Sequence, residues 1–155
     1  MDEQTLKVQK IKNGIVLDHI DSGLALKVLK ILGIEEDIGS TISILMHVSS
    51  KSKKFKDIVK IEDRYIGEKE INKISLITTS ATVNIIKNYQ VTEKYRVQVP
   101  KSLKGIVKCS NPSCVTNQNE PIEPEFITIS SKPIKIKCKY CDREMDQRDI
   151  LKNIM

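Results

Sequence analysis

Four cysteines constrain this chain more than any other feature of its sequence. They come as two close pairs, Cys109 and Cys114 in "CSNPSC" and Cys138 and Cys141 in "CKYC", and the 155 residues contain no others. Two such knuckles separated by a loop are what a tetrahedral four-thiolate site needs, each pair presenting two sulfurs about 2.3 Å from the ion. The CxxC knuckle has the usual length. The longer one, with Asn111–Pro112 inside it, stays within the usual range. Disulfides suit the chain poorly. Its polar start, "MDEQTLKVQK", has no apolar stretch of the kind a secretory signal needs, which implies a cytoplasmic compartment where thiols stay reduced. A dithiol redox centre would use one CxxC beside a βαβ unit. An iron–sulfur cluster remains chemically compatible with four cysteines. Zinc is the expected ion. Residues 101–155 contain no histidine, and four thiolates leave no open position for a reactive water. The expected role is therefore structural, one zinc per chain, folding a segment too small to build its own core.

The formal charge of +6 raises the question of a nucleic-acid partner. Residues 1–100 carry 16 Lys+Arg against 13 Asp+Glu, and residues 101–155 carry 10 against 7, so no basic tail or stripe exists. Nearly all the cations are Lys, and two Phe, four Tyr and no Trp offer few platforms for stacking bases. The composition is that of a solvated, lysine-rich surface, and no nucleic-acid partner is expected. No run of eighteen apolar residues is present to span a membrane.

The chain divides near residue 100. Residues 1–98 are expected to form one domain, 99–104 a linker and 105–155 the metal domain. In the first part, "LKVQKI" alternates with period two and "IVLDHI" is a short apolar run, joined by Asn13–Gly14 as a hairpin signal. "DSGLALKVLKILG" carries a helical stripe, capped by Asp21 or Ser22 and stopped by Gly33. "TISILMHV" and "FKDIVKIED" alternate again, the second placing Lys56, Ile58 and Lys60 on one side. "GEKEINKISLI" predicts a second helix, and "ATVNII" and "VTEKYRVQV" two more strands. The fold class is α+β: a ferredoxin-like sheet with two helices on one face, followed by a small all-β domain of zinc-ribbon outline.

Within the first part, Asp18–His19 closes a strand before a helix, Lys56 and Lys60 share a strand face, and Asn84 and Lys94 lie in neighbouring strands. Each taken alone fits an ordinary solvated or structural position. Together they could make an anion site for phosphates, with a carboxylate for a ribose hydroxyl. No P-loop, no GxGxxG and no nucleophile–base pair is visible, so neither nucleotide hydrolysis nor hydride transfer is supported.

"GIVLDHI", "ATVNIIKNY" and the order of the two cysteine pairs ending in "CKYC" resemble the regulatory chains of aspartate carbamoyltransferase over nearly the whole length. The resemblance implies a non-catalytic chain with an N-terminal allosteric domain and a C-terminal zinc domain. It implies regulatory homodimers, zinc domains docked on catalytic chains, and a holoenzyme of six catalytic and six regulatory chains. It also implies CTP and ATP as effectors, with UTP able to act beside CTP. The matching motifs put Asp18 at the ribose, Lys60 at the ribose and base, and His19, Lys56, Asn84 and Lys94 at the phosphates. The backbones of Ile86 and Tyr89, and of Val8 to Ile11, fall at the base, with Val91 packed nearby. Cys109, Cys114, Cys138 and Cys141 carry over as zinc ligands, and Asn111 as a contact with the catalytic chain. Ser113 stands where the family often has a second Asn, and the loop "SSKSKK" also departs from the family pattern.

Two other classes compete with this reading. A zinc-ribbon nucleic-acid binder would account for the cysteines but not for the even charge or the scarcity of aromatics, and would reveal itself by salt-dependent binding to generic DNA or RNA. A zinc enzyme is opposed by the closed thiolate shell, and would reveal itself by turnover in the isolated chain.

Overall fold

A computed structural model describes residues 10–34, 39–51, 54–119 and 122–155. Its contacts divide the chain into two compact units, residues 1–66 with 81–96, and residues 67–80 with 97–155.

The first unit is built on five antiparallel strands: β1 (Gly14–Asp21), β2 (Ile42–Ser49), β3 (Phe55–Glu62), β4 (Thr82–Lys87) and β5 (Gln90–Arg96). Their order is β2-β3-β1-β4-β5. The first four follow the ferredoxin-like order, and β5 is added at one edge. Period-two alternation in β3 sends Asp57, Val59 and Ile61 to the buried face and leaves Lys56, Ile58 and Lys60 half-exposed on the other, as the sequence predicts. Ile15, Leu17, Val59, Ile61 and Val83 are all buried. Register places Ile15 opposite Ile61 and Leu17 opposite both Val59 and Val83, so they form one apolar layer.

Helix α1 (Ala25–Ile31) buries Ala25, Val28 and Leu29. It ends where the sequence predicts. Gly33 takes a φ of 72°, its N–H donates to the Lys30 carbonyl, and the Ile34 N–H donates to Leu29. These are the paired bonds of a Schellman ending. Its start differs from expectation. The N-cap is Leu24, which has no side-chain cap, and neither Asp21 nor Ser22 fills that role. The carboxylate of fully buried Asp57 on β3 does so instead, accepting from Gly23 N at 2.8 Å and Ala25 N at 3.0 Å. A carboxylate from a neighbouring strand thus supplies the acceptors a helix start needs.

The hairpin expected at Asn13–Gly14 does not form. β1 is already paired on both sides from Gly14 onward, with β3 and with β4, so no edge is left for a preceding strand. Residues 6–9 of the expected strand lie outside the described residues, and Lys10 and Ile11 are not in a strand. The tight hairpin lies between β4 and β5, where Asn88 and Tyr89 take positive φ of 51° and 67°, the signature of a type I′ turn. Gly14 is demanded by packing. Its φ is 142°, and a Cβ there would lie 2.1 Å from the Ile61 carbonyl oxygen.

The second unit contains α2 (Glu68–Ile77), the sheet β6 (Ser102–Lys104), β7 (Glu125–Ser131), β8 (Ile134–Cys138) and β9 (Glu144–Asp146), and α3 (Gln147–Asn153). The strands run in sequence order. α2 forms where its Ile spacing predicts, burying Ile74 and Ile77, and Leu76 joins the core of this unit with Phe126, Ile136, Met145 and Ile150. α3 is an addition to the all-β expectation. Asp146 caps it by accepting the Asp149 N–H at 3.1 Å, and Asp149 returns a carboxylate to the Asp146 N–H at 3.2 Å. Gln147 then donates to the Ile77 carbonyl at the end of α2, at 2.6 Å.

Candidate functional site

The four sulfurs of Cys109, Cys114, Cys138 and Cys141 lie within 4.8 Å of one another. Cys109 and Cys141 are 3.6 Å apart, and Cys114 and Cys138 are 3.7 Å apart. Sulfurs about 2.3 Å from a tetrahedral zinc would stand about 3.8 Å from each other, so the donor set fits the ion in number, type and spacing. These residues would hold it as a closed, structural site.

Each knuckle is shaped by bonds to its own backbone. In the second, the Tyr140 N–H points at the Cys138 sulfur at 3.4 Å, and the Asp142 N–H returns to the Cys138 carbonyl at 3.0 Å. In the first, the Asn117 amide donates to the carbonyls of Cys109 at 2.8 Å and Asn111 at 2.7 Å, stitching the longer loop closed. Sequence reasoning missed Asn117. Asn111 also faces inward: its Oδ1 accepts the Ser113 N–H at 3.0 Å, and its side chain hydrogen-bonds the Cys141 thiol. Pro112 and Ser113 form the exposed tip. Burial pushes the Cys109 thiol up to about 12 and also raises Cys138. Burial raises Cys141 too, but the Asn111 side chain, the Arg143 backbone and the neighbouring Cys109 and Cys138 thiols together outweigh it and hold that thiol down at about 7. Three of the four cysteines belong to the core of the unit, so ion and core share one location.

The other candidate residues gather on the face of the five-stranded sheet opposite the apolar layer. Register aligns Ser43, Lys60, Val16, Asn84 and Lys94 as one row across all five strands. Lys60 and Lys94 are therefore about 15 Å apart along the row, three inter-strand spacings. Among the described residues no carboxylate pairs with either. Asn84 is nearly buried and its amide donates to the Val16 carbonyl at 3.2 Å.

A bulge brings Asp18 and His19 to this face together. Between Leu17 and Ile20, β1 has one residue more than β3, and His19 there takes a φ of 57°. In a regular strand these neighbours would point to opposite faces. Here the His19 Nδ1 lies 3.1 Å from the Thr82 hydroxyl, while the Lys56 ammonium sits 2.9 Å from Asp18 Oδ1. β2 has a matching bulge between Leu45 and Val48, with His47 at a φ of 58°. The His47 N–H donates to Asp57 at 2.8 Å, so that carboxylate ties β2 to the start of α1.

Along the strands from this row, toward the β4–β5 turn, lie Ile86, opposite Gly14 and Val91, and then Tyr89 in the turn itself. Val91 and Tyr89 are largely exposed, and Ile11 is buried. The Tyr65 hydroxyl donates to the Ile86 carbonyl at 3.3 Å. Val8 lies outside the described residues. The structure thus brings Asp18, His19, Lys56, Lys60, Asn84, Ile86, Val91 and Lys94 to one sheet face, with Tyr89 at its end.

Fold and thiolate cluster together define a two-part chain, an α+β sheet domain with an open polar face and a separate domain organised around a structural metal site. Two family models also divide the chain near residue 100, although residues 67–80, which cluster with the second unit in space, fall within the first model: "Aspartate carbamoyltransferase regulatory chain, allosteric domain" matches residues 6–98, and "Aspartate carbamoyltransferase regulatory chain, metal binding domain" matches residues 101–151. The chain belongs to the aspartate carbamoyltransferase regulatory chains, the non-catalytic subunits of that enzyme. Similar curated chains bear the same description. One from Thermoplasma volcanium is 49% identical over 150 residues, covering 97% of this chain and 99% of its own length. One from Saccharolobus solfataricus is 52% identical over 150 residues, covering 97% and 94%. One from Methanothrix thermoacetophila is 50% identical over 148 residues, covering 96% of each. No helix among the described residues is long and apolar enough to cross a membrane.

Proposed function

We propose that the open face of the five-stranded sheet is an effector site for nucleoside triphosphates, and that the cysteine-centred domain is the rigid piece that docks on a catalytic chain. The observation that carries the first part is the row Lys60–Val16–Asn84–Lys94, with two lysines lacking carboxylate partners among the described residues. Cations without partners on a shared face favour a polyanion. In this reading Asp18 takes the ribose, Lys60 the ribose and base, and His19, Lys56, Asn84 and Lys94 take the phosphates. The backbones of Val8, Ile11, Ile86 and Tyr89 read the base, with Val91 against it. Lys56 is held by Asp18 before the ligand arrives, so binding exchanges one carboxylate partner for phosphate and ribose contacts. CTP and ATP would compete for this face, with UTP acting beside CTP.

The domains of this reading run from 1 to 98 and from 105 to 155, with 99–104 linking them. The regulatory chains pair through the first domain. The exposed tip beside Asn111 docks on the catalytic chain, in a cytoplasmic assembly of six catalytic and six regulatory chains. Effector binding at one domain then biases the assembly through the other, with a coupling of about 1–3 kcal/mol.

The test is calorimetric titration of the zinc-loaded chain with CTP and with ATP, alone and in competition, for the native chain and for Lys60→Ala and Lys94→Ala. Saturable, mutually exclusive binding at one site per chain, weakened in both variants, is the expected result. Unchanged affinity in both variants would move the site off this face. Uptake of a generic polyanion without nucleotide binding would favour a nucleic-acid role.

A further inference from the structure

The Asn13–Gly14 pair was a turn signal that no turn absorbed, and Asn13 has a different task. Its carbonyl accepts the Asp63 N–H at 2.9 Å, and its side-chain Oδ1 accepts the Asn88 N–H at 3.1 Å. The adjacent Lys12 carbonyl accepts the Tyr89 N–H at 2.9 Å. Asp63, Asn88 and Tyr89 all have positive φ, of 57°, 51° and 67°. Asn and Asp tolerate that region, but a bulky Tyr does so rarely and needs surroundings that hold it there. A type I′ turn normally places Gly at its second central position. Here Tyr89 occupies it, its side chain largely exposed and contributing little packing that could fix the backbone. What fixes it is the segment at residues 12–13.

From this we infer that Asn13 is a positioning residue for nucleobase discrimination. Its Oδ1 pins the Asn88–Tyr89 turn against the segment that follows Ile11, presetting the backbone edge on which a base is read. The inference rests on the effector reading above and adds to it a residue outside the assigned contacts. The lysine row lies further along the strands, so the phosphate end does not depend on Asn13. Releasing the turn would lower the fraction of chains in the binding-competent backbone state and weaken base-bearing ligands by that fraction.

The test measures CTP, ATP and inorganic tripolyphosphate binding to the zinc-loaded full chain, native and with Asn13→Ala or Asn13→Asp. Loss of the side-chain acceptor for the Asn88 N–H in Asn13→Ala is expected to weaken the nucleotides about fivefold and to change the CTP-to-ATP affinity ratio, with tripolyphosphate unaffected. Asn13→Asp keeps an oxygen at the same place, so it should restore the CTP-to-ATP ratio. Equal weakening of all three ligands, or unchanged nucleotide affinity in Asn13→Ala, would overturn the inference and leave the effector face standing. Failure of the native chain to bind CTP or ATP would overturn both.

Discussion

The two units treat their chemically active groups in opposite ways. In the metal-centred unit four sulfurs converge within 4.8 Å, and the Asn111 and Asn117 side chains and the Tyr140 N–H turn toward the knuckles. In the sheet unit, the row from Lys60 to Lys94 leaves its cations without carboxylate partners among the described residues. A convergent, closed donor set is suited to holding a fold together. A charged row left open on a sheet face is suited to receiving a ligand. The buried carboxylate of the sheet unit, Asp57, follows the first pattern, because it is consumed by Gly23, Ala25 and His47.

Removing the metal should break the comparison most forcefully. Structural zinc contributes about 10–16 kcal/mol of apparent binding free energy in small domains. Chelation, or Cys138→Ser, should collapse the four-stranded sheet while the five-stranded sheet keeps dispersed amide signals, as a labelled spectrum would reveal. The same variant should no longer associate with catalytic chains. An intact C-terminal sheet without metal would show that the cysteines are not its keystone.

Asp57→Ala comes next. Three backbone donors would lose a buried, charged acceptor, and the loss should cost the sheet unit about 3 kcal/mol or more, read by denaturant unfolding with metal content unchanged. A cost below that of an ordinary surface substitution would mean water replaces the carboxylate. Lys60→Ala and Lys94→Ala should leave unfolding alone and weaken triphosphate binding roughly tenfold, the value of one charge-assisted contact. Smallest is Asp146→Ala, which removes the cap of α3. The Asp149 N–H holds the Asp146 carboxyl below its ordinary range, so the cap is at full strength at neutral pH and fades only as pH falls through that lowered value. A slight drop in the melting midpoint at pH 7 is expected, and a change in metal content would be unexpected.

What could be read in advance follows from how local each signal is. The metal site was legible because its ligand spacing lies within two short knuckles, and α1 and α2 because apolar residues recur along one stripe. The pairing of Lys56 with Lys60 on one face was legible for the same reason. The bulge that brings Asp18 and His19 to one face was not, because nothing in the alternation marks the residue with positive φ. The cap of α1 was misread because Asp57, the residue that fills it, lies 34 positions beyond Gly23. Asn13–Gly14 carried a true local preference that tertiary pairing overrode, since both edges of β1 were taken. α3 escaped notice because its reciprocal cap is built from Asp146 and Asp149 rather than from Ser or Thr with Glu.

The division of labour between an open effector face and a closed metal scaffold can be tested in one titration. Adding CTP to isotopically labelled, zinc-loaded chain and following backbone amides should give saturable shifts, largest at Lys60, Asn84, Tyr89 and Lys94. Sheet amides that stay unmoved, or shifts concentrated at Cys109–Cys114 and Cys138–Cys141, would contradict it.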